Sequence, residues 1–142
     1  MAVPRVMIVD DQATTRRLLR DILVAGAFEV VGEASDGDEA VALFEVLRPD
    51  AVTMDLVMPR LNGLDAARAI LSQVPHTVIV PVSGLPHPSV QAASIEAGMK
   101  GFVAKPIDAR ELVSELLEAL RGEDEDQNER EDEPGREDEP GR

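Results

Sequence analysis

The sequence predicts an α/β fold built on a parallel sheet with helices on both faces. Three observations carry that prediction. Short apolar, β-branched runs alternate with longer amphipathic stretches five times along the chain, the pattern of βα units. Each helical stretch is bounded by turn or capping residues. Four of the apolar runs end in a short polar or cationic side chain: Asp10 and Asp11 after Val6–Val9, Asp55 after Ala51–Met54, Ser83 after Val78–Val82, and Lys105 after Gly101–Ala104. In a parallel sheet those five side chains share the carboxyl edge, where open α/β sheets place their binding sites.

The elements follow in order. After the first strand, a helix over about 14–24 sets Leu18, Leu19, Ile22 and Leu23 on one stripe and Arg16, Arg17 and Arg20 around the rest, and stops at Gly26. Residues 28–34 form a weaker second strand. Ser35-Asp36-Gly37 turns into a helix over 38–47 that ends before Arg48-Pro49. Beyond the third strand, residues 58–63 form a loop and 64–71 a helix. The fourth helix, about 89–97, carries Ala, Gln and Ser where charge is usual, with Pro86 and Pro88 fixing its entry. Asp108 caps the last helix, whose expected buried stripe is Leu112, Leu116, Leu117 and Leu120.

Composition narrows the function classes. The chain has 142 residues, 44% of them hydrophobic, enough for one domain with a core. No stretch reaches the roughly 20 apolar residues of a membrane span, and residues 1–5 lead straight into a strand, so a cytoplasmic protein without membrane insertion is expected. The absence of Cys excludes disulfides, thiol catalysis and zinc–thiolate sites. His76 and His87, both beside prolines, read as exposed loop residues rather than ligands. A net charge of −14 argues against direct nucleic-acid binding, so partners should be proteins. Beyond Gly122 the composition changes: residues 123–142 hold eleven acidic and three basic side chains, no aliphatic one, and a doubled Arg-Glu-Asp-Glu-Pro-Gly unit. This tail accounts for −8 of the −14 and is expected to be disordered, leaving residues 1–122 as the domain.

Three carboxylates brought to one sheet edge repel unless a cation neutralises them. A hard divalent ion with oxygen ligands, together with one ammonium, suits such a cluster. The same arrangement suits acceptance of a phosphoryl group on a carboxylate, since cation and Lys offset the charge on the transferring oxygens.

Taken singly, each residue has a plain structural role as a cap, a turn or a surface group. Together, Val9-Asp10-Asp11, the 54–59 stretch Met-Asp-Leu-Val-Met-Pro, Asn62-Gly63, Val82-Ser83-Gly84 and the 98–106 stretch Gly-Met-Lys-Gly-Phe-Val-Ala-Lys-Pro are similar to the receiver domain of two-component response regulators, over residues 5–121. The resemblance implies a flavodoxin-like (βα)5 fold with strand order 2-1-3-4-5. It implies that Asp55 is the phosphoacceptor, taking its group from a sensor histidine kinase or a small acyl phosphate. Asp10, Asp11, Asp55 and the Val57 carbonyl would hold Mg²⁺, or Mn²⁺ in its place. Lys105 would pair with Asp55 before transfer and with the phosphoryl group after it, aimed by a cis Pro106. Ser83 would bond the phosphoryl group, and Phe102 would rotate inward as the face made by helix four, strand five and helix five changes shape.

The chain departs from the family pattern at Asn62, where Asp is usual; at Gly84, where Ala is commoner and which makes the switching loop more pliable; and at Phe102, where Tyr is frequent. Val57 and Leu85, two residues beyond Asp55 and Ser83, are positions that influence water access in this family, and two aliphatic groups there predict slow self-dephosphorylation. The leading functional reading is a stand-alone, chemotaxis-type regulator, a switch rather than an enzyme. It would control a downstream protein target as a monomer or as a phosphorylation-dependent dimer. A phosphorelay intermediate serving a histidine phosphotransfer protein and a phosphorylation-independent scaffold or dimerisation module are the alternatives.

Overall fold

The computed structural model describes residues 2–131 apart from Pro59 and Pro86, with the side chains of 124–131 also outside the description. Five parallel strands, β1 (Arg5–Val9), β2 (Glu29–Ala34), β3 (Ala51–Met54), β4 (Val78–Ser83) and β5 (Val103–Ala104), lie in the order β2-β1-β3-β4-β5. Five helices connect and follow them: α1 (Ala13–Ala25), α2 (Gly37–Leu47), α3 (Gly63–Gln73), α4 (Pro88–Glu96) and α5 (Ala109–Glu131).

Successive strand side chains point to opposite faces, and the core is divided accordingly. Met7, Val9, Val52, Met54 and Ile79 meet Phe44 of α2 and Ala66 and Ile70 of α3. Val6, Ile8, Val78, Val80, Val82 and Val103 meet Leu19 and Leu23 of α1 and Leu112 and Leu116 of α5. Sequestering these chains from water at about 25 cal/mol per Å² is the main term holding the helices to the sheet. Thr53, on central strand β3, is fully buried and its hydroxyl has no hydrogen-bond partner.

Local chemistry sets the helix starts. Asp36 caps α2 by accepting the Glu39 N–H at 2.8 Å, Asn62 caps α3 through the Asp65 N–H at 3.0 Å, and Asp108 caps α5 through the Glu111 N–H at 3.0 Å. His87 is exposed as expected but has a role: its Nδ1 accepts the Ser89 N–H at 3.1 Å and starts α4, with Pro88 in the first helical turn. Pro86, expected to share in fixing that entry, lies outside the described residues.

Three expectations are corrected. Leu18 and Leu117, placed on buried stripes, are exposed. The covered line on α1 is Leu19 and Leu23 and on α5 Leu112, Leu116 and Ala119, so a residue one position off either line is turned about 100° away. The last helix does not stop at Gly122: α5 runs to Glu131, and the side chain of Glu123 is buried against Lys100, with which it forms a salt bridge. That ion pair ties Glu123 to the turn before β5, and the helix continues to Glu131. The tail expectation for 132–142 lies outside the described residues.

Candidate functional site

At the carboxyl edge of the sheet the chain turns into loops after β1, β3, β4 and β5, and the predicted residues stand at those turns. Asp10 follows β1 with its backbone N–H tied to the Ala34 carbonyl of β2 at 3.1 Å. Asp55 follows β3 with its N–H tied to the Val9 carbonyl at 2.9 Å. The hydrogen-bonding pattern of the sheet therefore fixes the backbone of both carboxylates. Asp10 and Asp55 are buried, Asp11 is exposed at the rim, and one oxygen from each of the three lies within 4.8 Å of the others.

Each oxygen has a distinct environment. Asp10 Oδ1 accepts the Gln12 N–H at 2.9 Å and its Oδ2 accepts from Lys105 Nζ at 2.9 Å. Asp55 Oδ1 accepts the Val57 N–H at 3.2 Å, and its Oδ2 lies 3.7 Å from Lys105 Nζ. Lys105 thus faces both buried carboxylates, and its nearer partner is Asp10 rather than the expected Asp55. The Lys105–Pro106 peptide is cis, as the resemblance implied. Burial, then the neighbouring Asp10 carboxylate, push Asp55 up to about 6 from an ordinary 3.8; Lys105 and the Val57 N–H work against them. A single ammonium shared between two buried carboxylates leaves negative charge unbalanced. A compact group of carboxylate oxygens with excess negative charge fits a hard divalent cation.

On the other side of the site the side chains are placed differently. Ser83 is fully buried at the end of β4 and its Oγ accepts the Leu85 N–H at 3.0 Å. Phe102 is half-buried against the α2/α3 side of the core, with its N–H donating to Glu115 Oε1 at 3.0 Å. Val57 and Leu85 are 57% and 52% exposed, so both aliphatic groups lie open to solvent on the loops that follow Asp55 and Ser83.

Several supporting groups escape a reading of the sequence alone. Arg16, assigned there to the polar face of α1, donates to the Asp10 carbonyl at 2.7 Å and to Glu33 at 3.1 Å, so it braces the backbone of the acidic turn. Gly63 is required by contact: a Cβ there would lie 2.1 Å from the Asp55 carbonyl oxygen. Asp36 and Arg60 form a salt bridge between the loops preceding α2 and α3. Of these, Gly63 stands in the Asn62-Gly63 motif, and the α2 cap has a visible signal, since Ser35-Asp36 followed by Glu39 has the spacing of a capping box, and Glu39 returns a carboxylate to the Ser35 N–H at 2.6 Å.

Comparison with known proteins agrees with this geometry. The profile of the response regulator receiver domain matches residues 6–117. A chemotaxis protein CheY of Thermotoga maritima is 41% identical over 112 residues, covering 79% of this chain and 93% of that protein. A protein-glutamate methylesterase/protein-glutamine glutaminase of Pyrococcus abyssi is also 41% identical, over 82% of this chain, but the match spans only 34% of that longer protein. Among solved structures, the response regulator domain of Thermotoga maritima CheB superposes with a TM-score of 0.74 at 38% identity, covering 85% of this chain and 96% of that one. A structure of a CheX–CheY–BeF3–Mg complex from Borrelia burgdorferi gives 0.79 at 26% identity, covering 82% and 88%.

Proposed function

Because this chain belongs to the response regulator receiver domain family, we propose that it is a phosphoacceptor switch in which Asp55 receives a phosphoryl group from a sensor histidine kinase. The observation that carries this reading is the burial of Asp55 beside Asp10, Asp11 and the ammonium of Lys105. An Asp55 carboxylate oxygen attacks the phosphorus of a phosphohistidine. The P–O bond forms as the P–N bond breaks, and the imidazole leaves with the electron pair and takes up a proton. Asp10 and Asp11, Asp55 itself and the Val57 carbonyl are the groups that would hold Mg²⁺ or Mn²⁺. The ion supplies positive charge against the phosphoryl oxygens and allows three carboxylates to coexist ionised.

Lys105 neutralises part of the carboxylate charge at rest and is within reach of a phosphoryl oxygen on Asp55 afterwards. Ser83, whose hydroxyl proton is not committed to a described acceptor, donates to the same group. The loop after β4 is drawn inward, Phe102 follows, and the surface of α4, β5 and α5 is altered for a protein target. A cytoplasmic setting suits this role, and no helix among the described residues is long and apolar enough to cross a membrane. What supports a switch reading is that the acidic cluster and Lys105 lie within the receiver domain itself, the part of the chain that matches both CheY and the methylesterase.

The test is intact-mass analysis after incubation with acetyl phosphate and MgCl₂. One phosphoryl adduct that requires the metal and is lost in Asp55→Asn is expected. No adduct from acetyl phosphate or from a histidine kinase would overturn the reading and favour a scaffold.

A further inference from the structure

Two loops meet beside Asp55 through residues that take no part in the chemistry above. One is the β2–α2 turn with Asp36 and Gly37, and the other is the β3–α3 loop, which contains Val57. In that second loop Arg60 has φ of 61°, a left-handed conformation that a residue with a Cβ adopts at a cost and keeps only where its surroundings hold it. The Arg60 side chain, 71% exposed, pairs with Asp36. Its buried carboxylate accepts the Glu39 N–H through Oδ1 and pairs with the Arg60 guanidinium through Oδ2. These two contacts, the Glu39 N–H first, keep the Asp36 carboxyl below its usual range and so ionised.

The backbone repeats the junction on both sides. The Gly37 N–H donates to the Leu61 carbonyl at 3.1 Å, and a Cβ on Gly37 would lie 2.1 Å from that oxygen. At the far end the Gly63 N–H donates to the Leu56 carbonyl at 3.3 Å while its Cα faces the Asp55 carbonyl. Leu61 is therefore tied to α2 and Leu56 to the start of α3, and the Val57 N–H next to Leu56 reaches Asp55 Oδ1.

We propose that the Asp36–Arg60 ion pair is a positioning device for the phosphoacceptor site, fixing the β3–α3 loop so that the Val57 backbone is presented to Asp55 and to the cation the acidic cluster takes up. The proposal rests on the reading of that cluster as a Mg²⁺ site. Arg60 acts through the loop and not on the reacting atoms. A side chain on a neighbouring loop that orients metal-binding backbone in this way is a supporting contact of the kind that tunes metal affinity.

The pair could serve only to cap α2, and two neutral variants separate the roles. Asp36→Asn keeps an acceptor for the Glu39 N–H and removes the charge, and Arg60→Gln keeps length and removes the guanidinium. Both singles and the double variant of the full chain would be titrated with MgCl₂ alone, following the Val57 and Gly63 amides by NMR, with urea unfolding in parallel. Each variant is expected to weaken Mg²⁺ binding about tenfold, with the double no worse than either single, and to shift the Val57 amide before metal is added. Mg²⁺ affinity within about twofold of wild type and an unmoved Val57 amide, whatever the urea midpoint, would overturn the proposal and leave the pair as a cap. If the wild type itself takes up no Mg²⁺, the site reading falls, and the metal-free Val57 and Gly63 amides still decide whether the pair sets the loop.

Discussion

The two halves of the site are built to different standards. Asp10 and Asp55 end strands β1 and β3 at the centre of the sheet, where each has a neighbour on both sides. Their backbone N–H groups are tied to adjacent strands, and the residues leading to them, Val6–Val9 and Ala51–Met54, are all 0–1% exposed. Ser83 and Lys105 sit at the other end, where β5 contributes two residues and pairs with β4 only as Val82 with Val103 and Ser83 with Ala104. Pro81 has no N–H to donate, and pairing with β5 begins after it. Next to them Gly84 has open space around it and α4 buries only Ser94 fully. The half with Asp10 and Asp55 is prepared before any ligand arrives, whereas the loop that follows Ser83 has few contacts to give up on rearranging.

The contrast can be broken most directly at Asp55. Its raised value means that folding disfavours the ionised form, so the stability it contributes is present below its ordinary 3.8 and is lost as pH rises through about 6. In Mg²⁺-free buffer at pH 7, Asp55→Asn is expected to be more stable than wild type by roughly 2 to 3 kcal/mol, with the gap closing towards pH 4 and narrowing when MgCl₂ is added. Urea unfolding across that pH range checks it. A gap that does not vary with pH would mean that the acidic half is not under electrostatic load.

On the outer rim, Val57→Asn with Leu85→Glu is expected to shorten the lifetime of the phosphorylated chain about tenfold, because polar groups there can orient an attacking water that two aliphatic groups do not. Decay of the adduct by mass spectrometry measures it, and an unchanged lifetime would remove any role for that apolar pair. Inside the rigid half, Thr53→Val replaces a buried hydroxyl without a partner by a methyl of the same shape, and should raise stability by about 1 kcal/mol in urea unfolding. At the loose half, Gly84→Ala places a Cβ where nothing lies within 4 Å, and should add about 0.5 kcal/mol by restricting the unfolded chain. If Gly84→Ala instead destabilises, the loop is more tightly built than the comparison allows.

The sheet and the five edge residues were legible because they depend on local pattern: apolar runs of strand length, each with a distinctive side chain at its end. What could not be read depends on separations that a local pattern does not encode. Leu18 and Leu117 were misplaced because a leucine-rich helix offers more apolar positions than one packed face can cover. The closer approach of Lys105 to Asp10 than to Asp55, 2.9 against 3.7 Å, is a difference in tertiary distance that no local pattern carries. Glu123 finds Lys100 across 23 residues, a pairing that composition does not announce. Arg60 carries no sign in the sequence that it must adopt a left-handed backbone.

The continuation of α5 has a practical side. The helix begins after β5 at the carboxyl edge of the sheet, and the nine residues from Glu123 to Glu131 extend it by about 13 Å. A fluorophore or affinity handle attached at its far end would be separated from the acidic cluster by the length of the helix, and could report on or immobilise the molecule without crowding the carboxyl edge.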